Sequence, residues 1–172
     1  MIEKQSSIQA EIREISAAET LPLRLRILRP GRPIESACFP GDDSPETRHF
    51  GAFEGGHLQG IASVFRVKMP ERPGVPAFQL RGMATAPETR GAGLGRALFK
   101  ACMAYAQEKR AGLIWCNARK TAVGFYQRLG FTILGEEFEI HDVGPHFRMF
   151  LPLRELGNGL TSGAGDQQAT TS

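Results

Sequence analysis

Residues 90–96 read Arg90-Gly91-Ala92-Gly93-Leu94-Gly95-Arg96, with glycine at every second position and an arginine on each side. Each glycine costs backbone entropy when it is ordered, so the spacing asks for something that side chains would obstruct. Leu94, Leu98, Ala101 and Tyr105 follow at i, i+4, i+7 and i+11, which predicts a helix beginning at the glycines. The first turn of a helix leaves backbone N–H groups unpaired at the positive end of the helix dipole. Without β-carbons in the way, an anion reaches those donors, and the loop suits a phosphate or diphosphate. The plain alternative is a tight turn that only starts a helix. A nucleotide P-loop needs Gly-Lys-Ser/Thr, whereas Gly95 is followed by Arg96 and Ala97. A dinucleotide fingerprint needs glycine at i, i+2 and i+5, and counting from Gly91 puts Arg96 at i+5.

The elements around the loop must position it. Residues 8–15, with Ile8, Ile12 and Ile15, predict a strand. Residues 17–29 predict a helix that tolerates Pro22 and stops at 29–33, "RPGRP". The stretch "FPGDDSP" (39–45) is turn chemistry, and 48–53 with 59–67 predict a hairpin. Three prolines make 69–76 a loop, read as a connector rather than a lid. Residues 77–86 alternate Phe78, Leu80 and Ala84 against Gln79, Arg81, Met83 and Thr85, a strand that Pro87 ends. A short buried strand (113–117), a helix (118–130, stopped by Gly130) and a last strand pair follow. The order β, α, β, β, β, α, β, α, β, β predicts an α/β (α+β) mixed sheet of six to seven strands, with helices on both faces. Residues 1–154 are expected to form one domain, and 155–172, nearly free of charge and of large apolar residues, a flexible tail.

Composition narrows the function classes. The chain has 172 residues, a net charge of +3 and a pI near 9.0, without the dense basic run that nucleic-acid binding would want. Cys38, Cys102 and Cys116 lack C-x-x-C spacing and suggest neither a disulfide framework nor a zinc site, so no metal is expected. The start "MIEKQSSIQAE" lacks an apolar leader core, and no 18-residue apolar stretch occurs. A cytoplasmic protein without membrane or nucleic-acid partners is the expectation.

The loop in this setting resembles the acetyl-CoA loop of the GCN5-related N-acetyltransferases (GNAT), Gln/Arg-x-x-Gly-x-Gly/Ala, matched at Arg90, Gly93 and Gly95. "LRGMATAPETRG" looks like the family's fourth strand and its exit. "NARKTAVGFYQRLGF" (117–131) looks like its second hallmark. The resemblance covers roughly residues 46–152. It looks closest to small bacterial members of unassigned substrate. It implies the three-layer GNAT fold and acetyl transfer from acetyl-CoA to a primary amine of a small molecule or peptide. Dimers are common among look-alikes, so a homodimer is one partner it allows. A non-catalytic acyl-CoA sensor is the alternative, and nucleotide binding a third reading.

By the same resemblance, Met83, Ala84 and Thr85 would pair with the pantetheine arm. The N–H groups of Gly91, Ala92, Gly93, Leu94, Gly95 and Arg96 would hold the diphosphate beside Arg90. Tyr126 would stand as the general acid, suited because a phenol stays protonated at neutral pH; otherwise it is a core aromatic. Asn117 is either a ligand of the cofactor arm or a helix N-cap. The base is open among His49, Glu54, Glu139, His141, His146 and a water chain. Cys116 raises an acyl-cysteine route, although the family favours direct transfer and an apolar strand thiol is usually inert.

Overall fold

The computed structural model describes residues 10–154, so Ile8 and the expected tail lie outside the described residues. The elements are β1 (Glu11–Ile15), α1 (Ala17–Leu23), β2 (Arg48–Glu54), β3 (His57–Phe65), β4 (Ala77–Thr85), α2 (Leu94–Glu108), β5 (Leu113–Arg119), α3 (Val123–Arg128), β6 (Thr132–Ile140) and β7 (Gly144–Pro152). Their order is the expected one. One seven-stranded sheet runs β1-β2-β3-β4-β5-β7-β6, and only β4 and β5 pair in parallel. That exception follows from the α2 crossover, because parallel neighbours need a long connection.

Helices cover both faces. Leu94, Leu98, Phe99 and Cys102 of α2 pack with Tyr126 of α3 on Ala62, Val64, Phe78 and Ile114 of the sheet. Leu23 of α1 packs on the other face, against Ile15, Ile61 and Ala84. A Ser16–Glu19 capping box starts α1. Pro22 brings no N–H to the helical ladder, and after α1 the chain widens into a π-turn over Arg24–Leu28, closed by Arg29 N–H on the Arg24 carbonyl at 2.9 Å.

Two sequence expectations change. The alternation of β4 does not run through. Ile61 faces Ala84 and Ser63 faces Arg81, so Gly82 and Met83 together oppose Ala62 in a bulge. The extra residue inverts the faces. Phe78, Leu80 and Met83 lie with the α2 core, whereas Ala84 lies with the α1 core. Gly82 makes the bulge with φ of +63°, and a β-carbon there would sit 3.1 Å from Phe39 and 3.3 Å from Arg24 Nε. Gly82→Ala is therefore expected to cost at least the roughly 1–2 kcal/mol of a left-handed alanine, read as a lower melting temperature than wild type. The expected helix at 118–130 is also shorter. β5 runs on to Arg119, a 3₁₀ turn spans Lys120–Ala122, and α3 occupies only Val123–Arg128. Pairing with β7 as far as Arg119↔His146 carries the strand past the expected boundary.

The 69–76 loop is a connector. Met69 is fully buried with Ala77, Leu113, Trp115 and Phe150, and Trp115 Nε1 donates to the Val67 carbonyl at 2.8 Å.

Candidate active site

β4 and β5 pair only at Ala77↔Leu113, Phe78↔Ile114 and Gln79↔Trp115. Beyond that point β4 continues to Thr85 and β5 to Arg119 without pairing to each other. The inner edge of β4 from Leu80 onward thus has no strand partner among the described residues, and its main-chain groups are available to a ligand. A cavity of about 260 Å³ opens in this wedge, lined by Arg81, Gly82 and Met83 of β4, Asn117 and Arg119 of β5, Tyr126 of α3 and His146 of β7. Leu28, Arg29 and Phe39 close its other side, with Ile140 and Val143 from the β6–β7 hairpin. The 69–76 loop is not among the lining residues.

Asn117 sits inside β5, opposite Arg148 of β7. Its side-chain Oδ1 is buried with no hydrogen-bond partner. The N-cap reading falls, because α3 starts six residues later with Ala122 as its cap. A buried carbonyl without a donor is costly, which suits a group awaiting a ligand N–H.

Tyr126 is 7% exposed and lines the cavity. Phe125 and Phe131 meet its ring edge-on at 5.1 and 5.4 Å. Its hydroxyl has no hydrogen bond to any described group. Burial pushes the phenol well above its ordinary value, with Cys116 and Cys102 adding to the shift, so it stays protonated at any working pH. Burial likewise pushes the Cys116 thiol up, which leaves no thiolate for an acyl-cysteine route at neutral pH.

At the glycine loop, Gly93 is the N-cap of α2 with φ of +79° and offers no side-chain cap. The first helical bond is Ala97 N–H to the Gly93 carbonyl. The N–H groups of Gly91, Gly93, Leu94, Gly95 and Arg96 therefore have no partner among the described residues. Ala92 differs from the expectation, because its N–H already donates to the Thr89 carbonyl at 3.1 Å. The glycines also divide their roles. A β-carbon on Gly91 or Gly93 would meet nothing within 4 Å, whereas on Gly95 it would press on Phe125 at 3.0 Å. Gly95 thus seats α2 against α3, and the first two keep the donors open. Arg90 and Arg96 are exposed beside them.

The candidate bases separate. His141 and Glu139 are exposed on the outer hairpin, and neither they nor Glu54 line the cavity. His49 is buried and structural. Its Nε2 donates to the Asp42 carbonyl at 2.9 Å, so Nδ1 accepts from the Ser63 hydroxyl at 2.7 Å. His146 is 3% exposed and lines the cavity. Its Nδ1 lies 2.7 Å from the Gly144 carbonyl and must donate, which leaves the lone pair on Nε2.

A buried cluster behind the cavity carries no local sequence signal. Arg24 is fully buried and binds both carboxylate oxygens of Asp42 at 2.7 and 3.0 Å, the Ala37 carbonyl at 2.9 Å and Ser63 Oγ at 3.0 Å. Its guanidinium also stacks 4.0 Å from the Phe39 ring, a wall of the cavity. "GDD" at 41–43 was visible, but nothing in the letters joins it to an arginine 18 residues earlier.

Among the described residues no three His, Cys, Asp or Glu side chains cluster as metal ligands, and no helix is long and apolar enough to cross a membrane.

Comparison with known proteins agrees with this fold. The chain is 37% identical over 144 residues to an uncharacterized N-acetyltransferase, YitI of Bacillus subtilis (strain 168), covering 84% of this chain and 97% of that protein. The fold is shared with Ard1 of Thermoplasma volcanium (TM-score 0.69, 17% identity, 85% of this chain and 99% of that one). It is shared equally with a chain of the NatC complex bound to Gag peptide and CoA (TM-score 0.69, 15% identity, 85% and 99%). Residues 37–151 match the acetyltransferase (GNAT) domain model, two thirds of the chain and every cavity-lining residue except Leu28 and Arg29, so the protein belongs to the GNAT family of N-acetyltransferases.

Proposed function

We propose that the protein transfers the acetyl group of acetyl-CoA to a primary amine of a small molecule or peptide by direct attack. The observation that carries this reading is the unpaired β4 edge on a cavity that Asn117, with its partnerless Oδ1, and Tyr126 also line. The site fits the coenzyme on its own terms. Five unpartnered N–H groups at the start of α2 suit a diphosphate, with Arg90 and Arg96 adding charge. The main chain of Met83, Ala84 and Thr85 accepts an extended amide-bearing arm as an added strand. Asn117 Oδ1 takes an N–H from the same arm.

Acetyl-CoA, when bound, supplies a thioester carbonyl open to attack by a neutral amine. The chain's own residues then have three tasks. A main-chain N–H at Met83 or Thr85 steadies the charge that develops on the carbonyl oxygen. Tyr126 gives its hydroxyl proton to the departing sulfur. His146 Nε2 removes the proton that the amine sheds. Cavity walls from Phe39, Ile140 and Val143 limit water around these groups.

Release of CoA thiol from acetyl-CoA across an amine panel tests the proposal. Amine-dependent, saturable release is the expected result. Tight CoA binding with no release for any amine would overturn it.

A further inference from the structure

The acceptor side of the cavity is basic and uncompensated. Three lining side chains are arginines, Arg29, Arg81 and Arg119, and none is a carboxylate. Among the described residues none of the three forms a salt bridge. Their contacts leave most donors free. Arg29 and Arg119 each donate once to the Leu28 carbonyl, at 3.0 and 2.9 Å, and Arg81 lies over the rings of Phe39 and Phe65 at 4.8 and 5.2 Å. A guanidinium carries five N–H donors in a planar fork. The acid nearest to hand, Asp42, already has both oxygens on Arg24.

The repulsion is only partly relieved. Burial and then the charges of Arg119, Arg32, Arg81 and Arg24 pull the Arg29 guanidinium below its ordinary value. Burial and the Arg24 charge do the same to Arg81, offset in part by Asp42. Like charges gathered against apolar walls are costly unless something neutralises them. The diphosphate cannot be that something, because residues 91–96 do not line this cavity.

We propose that the acceptor is an amine bearing an anionic group, carboxylate or phosphate, which Arg29, Arg81 and Arg119 hold while the amine faces Tyr126 and His146. This deepens the acetyl-transfer reading and rests on it. A carboxylate would take the fork of Arg81 or Arg119 in parallel hydrogen bonds, a geometry that lysine cannot reproduce.

The test compares size-matched amines on the full chain at saturating acetyl-CoA: amino acids against their methyl esters and decarboxylated amines, and phosphoethanolamine against ethanolamine. The anionic member is expected to lead in kcat/KM by roughly 10–100-fold, the range for hydrogen bonds to a charged group. The carboxylate and phosphate arms tell the two anions apart. Arg81→Gln and Arg119→Gln should each raise KM for the anionic amine about tenfold or more, and Arg81→Lys should restore part of the loss. A second readout needs no turnover: calorimetric titration of glutarate and inorganic phosphate into the protein, with and without CoA. Saturable anion binding that Arg81→Gln abolishes is expected, and it would stand even if CoA gave no heat, so the two readings fail separately. Equal or better turnover of the neutral partners, or no binding of either anion, would overturn the inference.

Discussion

Tyr126→Phe is expected to lower kcat by roughly 10²–10⁴, the usual contribution of a positioned general acid, with CoA affinity and melting temperature close to wild type. The separation follows from the side chain's surroundings. Its ring is held by Phe125 and Phe131, and its main-chain carbonyl receives the N–H groups of Leu129 and Phe131, both at 3.0 Å. None of this involves the hydroxyl, which bonds to no described group. The hydroxyl opens onto the cavity and its removal strands no partner, so deleting it is close to neutral for stability. The same burial that raises the phenol's pKa predicts a kcat profile without an alkaline limb from this group up to about pH 10. Steady-state kinetics and thermal melts on one preparation check both halves. A fall in kcat matched by a fall in melting temperature would assign Tyr126 to packing alone.

Asp42→Ala should give the largest loss of stability, about 3–5 kcal/mol, because it leaves the fully buried Arg24 without its counter-charge. For a chain of this size that corresponds to a drop of roughly 6–20 °C in melting temperature. Burial alone would raise the Asp42 carboxyl, but hydrogen bonds from Arg24 and the Phe39 N–H, with the charge of Arg24, hold it below the usual carboxylate range. A folded-state value below the unfolded one means stabilisation that is complete above about pH 4 and fades as pH falls through the lower value. The gap between wild type and variant should therefore narrow in acid, which urea titrations at a series of pH values would show. Because Arg24 also stacks on Phe39, the variant should disturb the cavity wall as well.

The order of elements could be read from the sequence because each carries a local signal. The periodicity of α2, the prolines at 69–76 and the turn residues at 39–45 act within a few positions. Asn117, the glycine loop and Tyr126 are legible as candidates through two short motifs, and the fold brings Asn117 and Tyr126 to one cavity. What escaped depends on distant partners. Arg24 follows an amphipathic helical stretch and looks like a surface cation until the π-turn and Asp42 place it inside. The β4 bulge hinges on a single positive φ at Gly82, which letters do not distinguish from any other strand glycine. The acceptor arginines come from three separate elements, and only the wedge between β4 and β5 gathers them.

The most direct measurement is calorimetric titration of CoA into the wild-type chain and into Gly93→Val. If naked amides at the head of α2 grip the coenzyme, the parent protein yields a saturable one-site isotherm, and a side chain at this left-handed position weakens it by about tenfold or more. A flat trace for the parent, or identical isotherms for the two proteins, would contradict the account.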